Sequence, residues 1–197
     1  MKKYFKQNNK GFTRTPKFGV TPKGGGFTLV ETLVAISIFS VSIVALMTIL
    51  GSGISNTNYA KTKIIASYLA QEGIEYVRNM RDSYVLYTGT TSLTWNSFIA
   101  KLSPCSAGNS CGFDTSVSLT NPASIFLCST HINQCKLYVN NGNYNTNSSG
   151  VYSGFTRTIQ ATTVSANEIK ISSTVSWTQG SGSYSIVFSE NLFNWTE

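Results

Sequence analysis

An apolar run of 24 residues, from Phe27 to Leu50, constrains this chain more than any other feature. A helix of that length extends about 36 Å at roughly 1.5 Å per residue, which is enough to cross the roughly 30 Å hydrocarbon core of a bilayer. Glu31 is the only charged residue in the run. Because a charged side chain at the bilayer centre costs on the order of 2.5 kcal/mol or more, we expect Glu31 to have a partner and a functional role.

The residues before this run are strongly basic. They hold 7 of the 15 Lys and Arg side chains and no acidic residue, so eight basic and eight acidic side chains remain in the rest of the chain. The formal net charge of +7 is therefore a property of residues 1–26. A basic flank beside an apolar helix holds that end in the cytoplasm, and we expect the rest to be exported. No nucleic-acid partner is predicted, because that would need basic residues on the folded domain.

The junction of the basic and apolar segments resembles that of type IV pilin superfamily precursors. These have a basic leader ending in Gly, then Phe or Met, then an apolar helix with Glu as its fifth residue, and Gly26, Phe27 and Glu31 match in type and spacing. The resemblance implies that a prepilin peptidase in the membrane cleaves between Gly26 and Phe27, and that Phe27 is then N-methylated. It also implies that Glu31 pairs with the terminal amine of a neighbouring subunit during assembly.

Two departures from the family pattern favour a low-copy subunit. Proline is absent about twenty residues into the expected mature chain, near Thr48, and the run from Glu31 to Ile36 is similar to minor pilins and pseudopilins. The resemblance thus implies a minor pilin or pseudopilin of a type IV pilus or type II secretion-like filament. Its partners would be the membrane, other pilin subunits, and the assembly platform with its ATPase machinery. The N-terminus would be cytoplasmic and the C-terminal domain extracytoplasmic, or extracellular in the assembled filament.

Other interpretations of the N-terminal region remain open. An ordinary secretory signal would be cleaved near Gly51-Ser52-Gly53, although an apolar run of 24 residues is long for such a signal and Glu31 has no role in one. An unprocessed single-pass anchor would also satisfy the length and the flanking charge. The alternative function is therefore a membrane-anchored or secreted adhesive or ligand-binding module that does not polymerise.

Four segments follow from these patterns. Residues 1–26 are a leader, residues 27–50 a transmembrane and assembly helix, residues 51–82 a hinge and amphipathic second half of that helix, and residues 83–197 an exported β-rich domain.

The glycines of Gly51-Ser52-Gly53 predict a hinge or frayed turn, since each costs about 1 kcal/mol in a helix interior. Beyond them, apolar residues three or four apart predict a face that packs under the domain. They are Ile65, Ala66, Leu69, Ala70, Ile74 and Val77, and Arg81 continues their spacing. Glu75 and Arg78 are spaced for a surface pair.

Late in the chain, alternation of inward and outward residues predicts three antiparallel strands. The first contains Phe155, Arg157, Ile159 and Ala161, the second runs from Ile169 to Trp177, and the third starts at Tyr184 after a hairpin connection at residues 179–183. We expect an α+β, pilin-like fold, in which the long N-terminal helix packs under a C-terminal antiparallel sheet. Residues 140–150 are expected to form an exposed loop, and Trp195 is expected to anchor the C-terminus.

The four cysteines are Cys105, Cys111, Cys128 and Cys135. An even number of cysteines on the exported side of a membrane predicts disulfides, with three possible pairings. We favour Cys105 with Cys111 and Cys128 with Cys135, because each pair closes a short loop containing Gly, Asn or Ser. Bridges between the two pairs and a zinc site of four thiolates remain alternatives, although neither spacing is Cys-x-x-Cys.

Residues capable of catalysis are few and scattered. His131 is the only histidine, Asp114 and Glu168 are isolated acids, and Gly24-Gly25-Gly26 lacks the lysine of a phosphate-binding loop. We therefore predict no enzymatic activity, no cofactor and no metal. Loops rich in Tyr and Asn, from Tyr138 to Tyr152, offer aromatic contact area for glycans or other surfaces.

Overall fold

The computed structural model of the protein describes residues 25–86, 94–130 and 135–194. The chain divides into two compact units, residues 1–50 and residues 51–197. The division falls within the first helix, α1, which spans Leu29–Val85. Each unit is described separately below.

In the first unit, the described part consists of residues 25–28 and the beginning of α1. Every residue from 25 to 50 is exposed within the structure. Most of these side chains are large and apolar, including Phe27, Leu29, Phe39 and Leu50, which are each at least 60% exposed. A helix that is apolar all round its surface requires an apolar surrounding, either lipid or other helices.

The second unit contains the remainder of α1, a short helix and an antiparallel sheet. The short helix α2 spans Trp95–Lys101, and Thr94 caps it by accepting a hydrogen bond from the Ser97 backbone N–H. The strands are β1 (Cys111–Phe113), β2 (Ile125–Leu127), β3 (Lys136–Asn140), β4 (Asn143–Asn145), β5 (Val151–Ser165), β6 (Glu168–Gln179) and β7 (Gly182–Phe193). This α+β arrangement, a long N-terminal helix followed by an antiparallel β domain, is the pilin-like fold expected from the sequence.

The long strand β5 organises the sheet. One edge of β5 pairs with β6, which in turn pairs with β7 over twelve residue pairs. The other edge pairs with β3 near Thr156 and with β1 at Ile159. The short strands β4 and β2 complete the sheet beside β3 and β1. The late alternation in the sequence thus corresponds to β5, β6 and β7.

The core lies between α1 and the sheet. The helix buries ten residues between Ala66 and Tyr84, at the three- and four-residue spacing of its apolar face. Ile159, Ile171 and Val175 cover them from β5 and β6. Gly73 provides the closest approach, because a Cβ atom there would collide with Ser173 Oγ and lie 2.9 Å from Ile159 Cδ1. The predicted packing of the amphipathic helix under the sheet is present.

Two local expectations need correction, and one helix was not predicted. Residues 51–53 are helical, so the frayed turn expected there is absent, because each added residue of a helix gains a hydrogen bond that offsets the glycine penalty. The bending of a hinge stays a prediction. Residues 140–150 are not a simple loop, since Asn141-Gly142 forms a positive-φ turn that joins β3 to β4. Helix α2 was not predicted, although Thr94 before an apolar stretch is a recognisable N-cap.

Candidate functional site

The helix start at Thr28 is the first part of the candidate site. Thr28 Oγ1 accepts a hydrogen bond from the Glu31 backbone N–H at 3.2 Å, and Thr28 O accepts one from the Thr32 N–H at 3.1 Å. Thr followed three residues later by Glu is the spacing of a capping box, in which the N-cap hydroxyl satisfies a free backbone donor. The backbone therefore turns into α1 directly after Gly26 and Phe27, which are both exposed. This cap was not predicted, although the spacing of Thr28 and Glu31 is recognisable in the sequence.

The other polar side chains of the apolar segment bond to their own helix. Each hydroxyl donates to a backbone carbonyl three or four residues earlier, at 2.8 to 3.0 Å. They belong to Thr32, Ser37, Ser40, Ser42 and Thr48. Because these groups need no external partner, they do not prevent the segment from lying in lipid.

Glu31 differs from every other polar residue of the segment. Within residues 25–86, 94–130 and 135–194, no cation pairs with its carboxylate and no donor hydrogen-bonds to it. A charge in an apolar helix is tolerated only when it is compensated. The segment therefore requires a cationic or hydrogen-bonding partner for Glu31 from outside these residues.

The length and composition of α1 allow it to cross a membrane. Among the described residues, α1 is the one helix that meets this condition, with a mean hydropathy of 2.6 over its most apolar 18 residues, all of them unburied. A signal sequence near the N-terminus would pass the same test. The helix thus fits a membrane-anchored single-pass protein.

Two disulfides hold the loops of the second unit. They join Cys105 to Cys111 and Cys128 to Cys135, which is the pairing favoured from the sequence, and neither the bridges between pairs nor a four-thiolate site is formed. The second bridge lies against β5, since Cys135 O accepts a hydrogen bond from the Arg157 N–H at 3.1 Å. No group of His, Cys, Asp or Glu in the described ranges is arranged to hold a metal ion.

A buried cation joins α1 to the sheet within the second unit. The Arg157 side chain is 3% exposed, and its guanidinium donates to Glu72 Oε2 at 2.5 Å and to Leu69 O at 3.2 Å. The guanidinium also lies 3.9 Å from the ring centre of Phe113, on which Tyr76 stacks. The pKa of the Arg157 guanidinium is lowered, because the effect of burial exceeds the opposing effect of the Glu72 carboxylate. Burial raises the pKa of the Tyr76 phenol. This arrangement stabilises the fold and offers no reacting group.

The predicted surface pair of Glu75 and Arg78 is present, and Arg78 also bonds to a second glutamate. Arg78 Nη1 donates to Glu75 Oε1 at 2.7 Å, and Arg78 Nη2 donates to Glu190 Oε2 on β7 at 2.5 Å. The hydrogen bond to Glu190 is the main cause of the raised pKa of Arg78. Sequence spacing predicts the first contact but not the second, which needs the sheet to be in place.

The remaining candidates lie apart from one another. Asp114 accepts hydrogen bonds from the backbone and hydroxyl of Ser116, and Glu168 accepts one from the Asn191 amide at 2.8 Å. Both acids therefore serve local loop and strand contacts. His131 and Trp195 lie outside the described residues.

A comparison with protein families finds a match for the N-terminal segment. Residues 22–51 match the family described as the prokaryotic N-terminal methylation motif, which is the signature of type IV pilins. No curated protein and no solved structure matches the chain. The motif, the long apolar helix and the antiparallel domain together define a precursor similar to type IV pilins and pseudopilins. This class of protein is structural rather than enzymatic, and the motif implies processing by a prepilin peptidase and assembly with other pilins.

Proposed function

We propose that this chain is a minor pilin or pseudopilin subunit of a type IV pilus or type II secretion-like filament. In this proposal, prepilin peptidase removes residues 1–26, and Phe27 becomes the N-methylated terminus. Residues 27–50 form the transmembrane and assembly helix, residues 51–82 its amphipathic continuation, and residues 83–197 an exported domain stapled by disulfides. The subunit has no enzymatic activity of its own.

The observation that supports this proposal is the unsatisfied Glu31 carboxylate. The hydroxyl groups of the same segment bond to their own helix, whereas Glu31 has no partner in the described residues. Cleavage before Phe27 would create an amine four residues before Glu31. In a helix continued back to Phe27, this amine would lie roughly 6 Å from Glu31 along the axis, which is poor geometry for pairing within one chain. The amine of an adjacent subunit is therefore the better partner, and the pairing would make filament assembly depend on Glu31.

Processing is tested on the native N-terminus by mass spectrometry. In a host with an active prepilin peptidase, the chain should begin at Phe27 and carry an N-methyl group. Gly26→Ala should block cleavage and leave the leader attached. An intact leader in the unaltered protein, or a chain beginning near Ser52, would refute the processing step and favour an anchor or a secretory signal.

Assembly is tested by substituting Glu31. Glu31→Ala should leave membrane insertion and cleavage intact, because the helix becomes more apolar, and should reduce incorporation into filaments strongly. Glu31→Asp should retain part of the incorporation, since the carboxylate remains with a shorter reach. Thr32→Ala is the matched control, because the Thr32 hydroxyl bonds only to Leu29 O of its own helix. Wild-type amounts of the cleaved alanine variant in purified filaments would rule out an assembly role for Glu31.

A further inference from the structure

A groove opens beside α1 at the end of the sheet in the second unit. Its volume is about 440 Å³, within the range of about 300 to 1,000 Å³ that is typical of small-molecule sites. Lys61 and Thr62 line it from α1, Tyr144 from β4, Ser153 from β5, and Trp177 and Gln179 from β6. All of the described lining residues belong to the second unit, and the proposed filament function gives the groove no role.

One wall of the groove is built from aromatic rings held by the strand register. Trp177 lies opposite Phe155 on β5 and Tyr184 on β7, with ring centres 6.3 and 5.7 Å away. Tyr144 packs edge-on against Phe155 at 6.2 Å and remains partly exposed. Cross-strand aromatic neighbours fix one another's orientation, so the wall is rigid before any ligand arrives.

Two buried polar atoms in this wall have no partner among the described residues. They are Trp177 Nε1, on a residue that is only 5% exposed, and Gln179 Oε1, two residues further along the same strand. Trp95 offers a contrast, since its indole N–H donates to Ala166 O at 2.9 Å. Buried donors and acceptors are nearly always satisfied in folded proteins, and a small movement of the side chains that cover these two atoms would present a donor and an acceptor to a hydroxyl-bearing ligand in the groove.

The charge of the lining limits the chemistry of the ligand. Among the described residues, Lys61 is the only charged side chain that lines the groove, and the lining also carries the hydroxyl groups of Thr62, Ser153 and Thr178. The described part of the lining contains no acidic residue, which a cationic ligand would need. Aromatic rings beside many hydrogen-bonding groups suit a sugar, whose ring carbons contact the aromatic face while its hydroxyls bond at the edge.

We propose that this groove is a saccharide-binding site, in which a pyranose ring contacts Tyr144 while its hydroxyl groups accept from Trp177 Nε1–H and Lys61 and donate to Gln179 Oε1. The site would give the domain a recognition role in addition to assembly. Binding requires neither cleavage nor a filament, so the proposal stands or falls independently of the proposed function.

The direct test observes the indole N–H signals of the full-length chain by NMR. The protein is held in a phosphocholine detergent, because detergents with sugar headgroups would compete for the site. Methyl glycosides of glucose, galactose, mannose, N-acetylglucosamine and N-acetylgalactosamine are the probes. At least one should shift the Trp177 signal saturably, with a dissociation constant on the order of 1 mM, which is ordinary for a ligand of this size. The Trp95 signal should not move, and Trp177→Phe assigns the peak.

Matched substitutions show whether binding occurs in the groove. Lys61→Gln and Tyr144→Ser should each weaken binding about tenfold, because one removes a charged hydrogen-bond donor and the other removes the ring contact. Lys63→Gln and Tyr68→Ser are the controls, since both residues are exposed on α1 and neither lines the groove. Their binding should equal that of the unaltered chain.

Three results would overturn the proposal. The first is the absence of any shift at the Trp177 signal with every glycoside at roughly 50 mM, far above the expected dissociation constant. The second is an equal shift with sodium acetate, which would make the groove an anion site centred on Lys61. The third is equal weakening by the groove substitutions and the control substitutions, which would place the binding elsewhere.

Discussion

The part of helix α1 in the first unit is exposed, whereas its part in the second unit packs against the sheet. Residues 29–50 of α1 are all exposed, whereas the stretch from Ala66 to Tyr84 buries ten residues against the sheet. In the second stretch, most apolar residues lie on one face, with Tyr68 as an exposed exception, while in the first they occur all round. One part of α1 therefore has its packing partner within the chain, and the other part requires a partner from outside.

Two glutamates of α1 likewise differ in whether the described part of the chain supplies their partner. Glu72 pairs with the buried Arg157 of the sheet, and Glu31 has no cation in the described residues. The Glu72 carboxylate therefore stabilises the folded domain, while the Glu31 carboxylate contributes stabilisation only when another molecule supplies a cation. Substitution at each position should therefore affect a different measurement.

The largest expected effect on folding is that of Glu72→Ala. It would leave the Arg157 guanidinium buried without its counter-ion, which costs about 3 kcal/mol of the free energy of unfolding. Glu31→Ala should leave the unfolding of the second unit unchanged. Denaturant unfolding in detergent, followed by tryptophan fluorescence, measures both.

The two results are compared under the same conditions. A loss below about 1 kcal/mol for Glu72→Ala would mean that water compensates Arg157, and the pair would then resemble a surface salt bridge. A loss of stability in Glu31→Ala would mean that Glu31 serves folding, and the contrast between the units would fail.

The second prediction concerns the bridge between Cys105 and Cys111, both of which are buried. Replacing the two cysteines with alanine should cost about 2.5 kcal/mol, the chain entropy of closing a loop of about seven residues. Peptide mapping without reductant should find no free thiol in the unaltered protein. Adding a reductant should lower its stability at least to that of the variant, because the reductant also opens the bridge between Cys128 and Cys135. Equal unfolding midpoints for the variant and the unaltered protein without reductant would show that the bridge between Cys105 and Cys111 does not stabilise the native protein.

The predictability of the fold follows the length of each element. Strands β5, β6 and β7 have twelve or more residues, long enough for their alternation to be visible in the sequence. Strands β1, β2 and β4 have three residues each, which is too short for any periodicity. The turn at Asn141-Gly142 and the cap at Thr94 were recognisable signals that the sequence analysis did not use.

The candidate sites also differ in how far they can be predicted from the sequence. The Glu31 segment is local in sequence, so Gly26, Phe27 and Glu31 are recognisable without a structure. The ion pair of Glu72 with Arg157 joins residues 85 positions apart, and the groove at Trp177 combines α1 with three strands. Such contacts depend on strand register, which a single sequence does not specify. The surroundings of Trp177 and Arg157 were therefore beyond prediction.

The third prediction compares two glycines of α1. Gly73→Ala should destabilise the domain by about 2 kcal/mol, because the added methyl overlaps Ser173 Oγ and approaches Ile159. Gly53→Ala should instead raise helix stability by up to about 1 kcal/mol, since nothing lies within 4 Å of the added methyl and alanine is the better helix former. Thermal unfolding and far-ultraviolet circular dichroism measure both effects. Equal effects at the two positions would contradict the close packing at Gly73.

The smallest expected effect is that of Glu75→Ala, three residues from Glu72 on the same helix. The Glu75 side chain is 43% exposed and that of Arg78 is 37% exposed, so water screens their attraction. Arg78 also keeps Glu190 as a partner after the substitution, and the loss should be below about 0.5 kcal/mol. In salt of roughly 0.5 M the loss should be smaller still, because the screening length is then only a few ångströms.

A double-mutant cycle of Glu75→Ala with Arg78→Ala isolates the pair from the contact to Glu190. A coupling above about 1 kcal/mol that persists in high salt would mean that these charges are effectively buried, and that the exposure of the arginine does not distinguish the pair of Glu75 and Arg78 from the pair of Glu72 and Arg157.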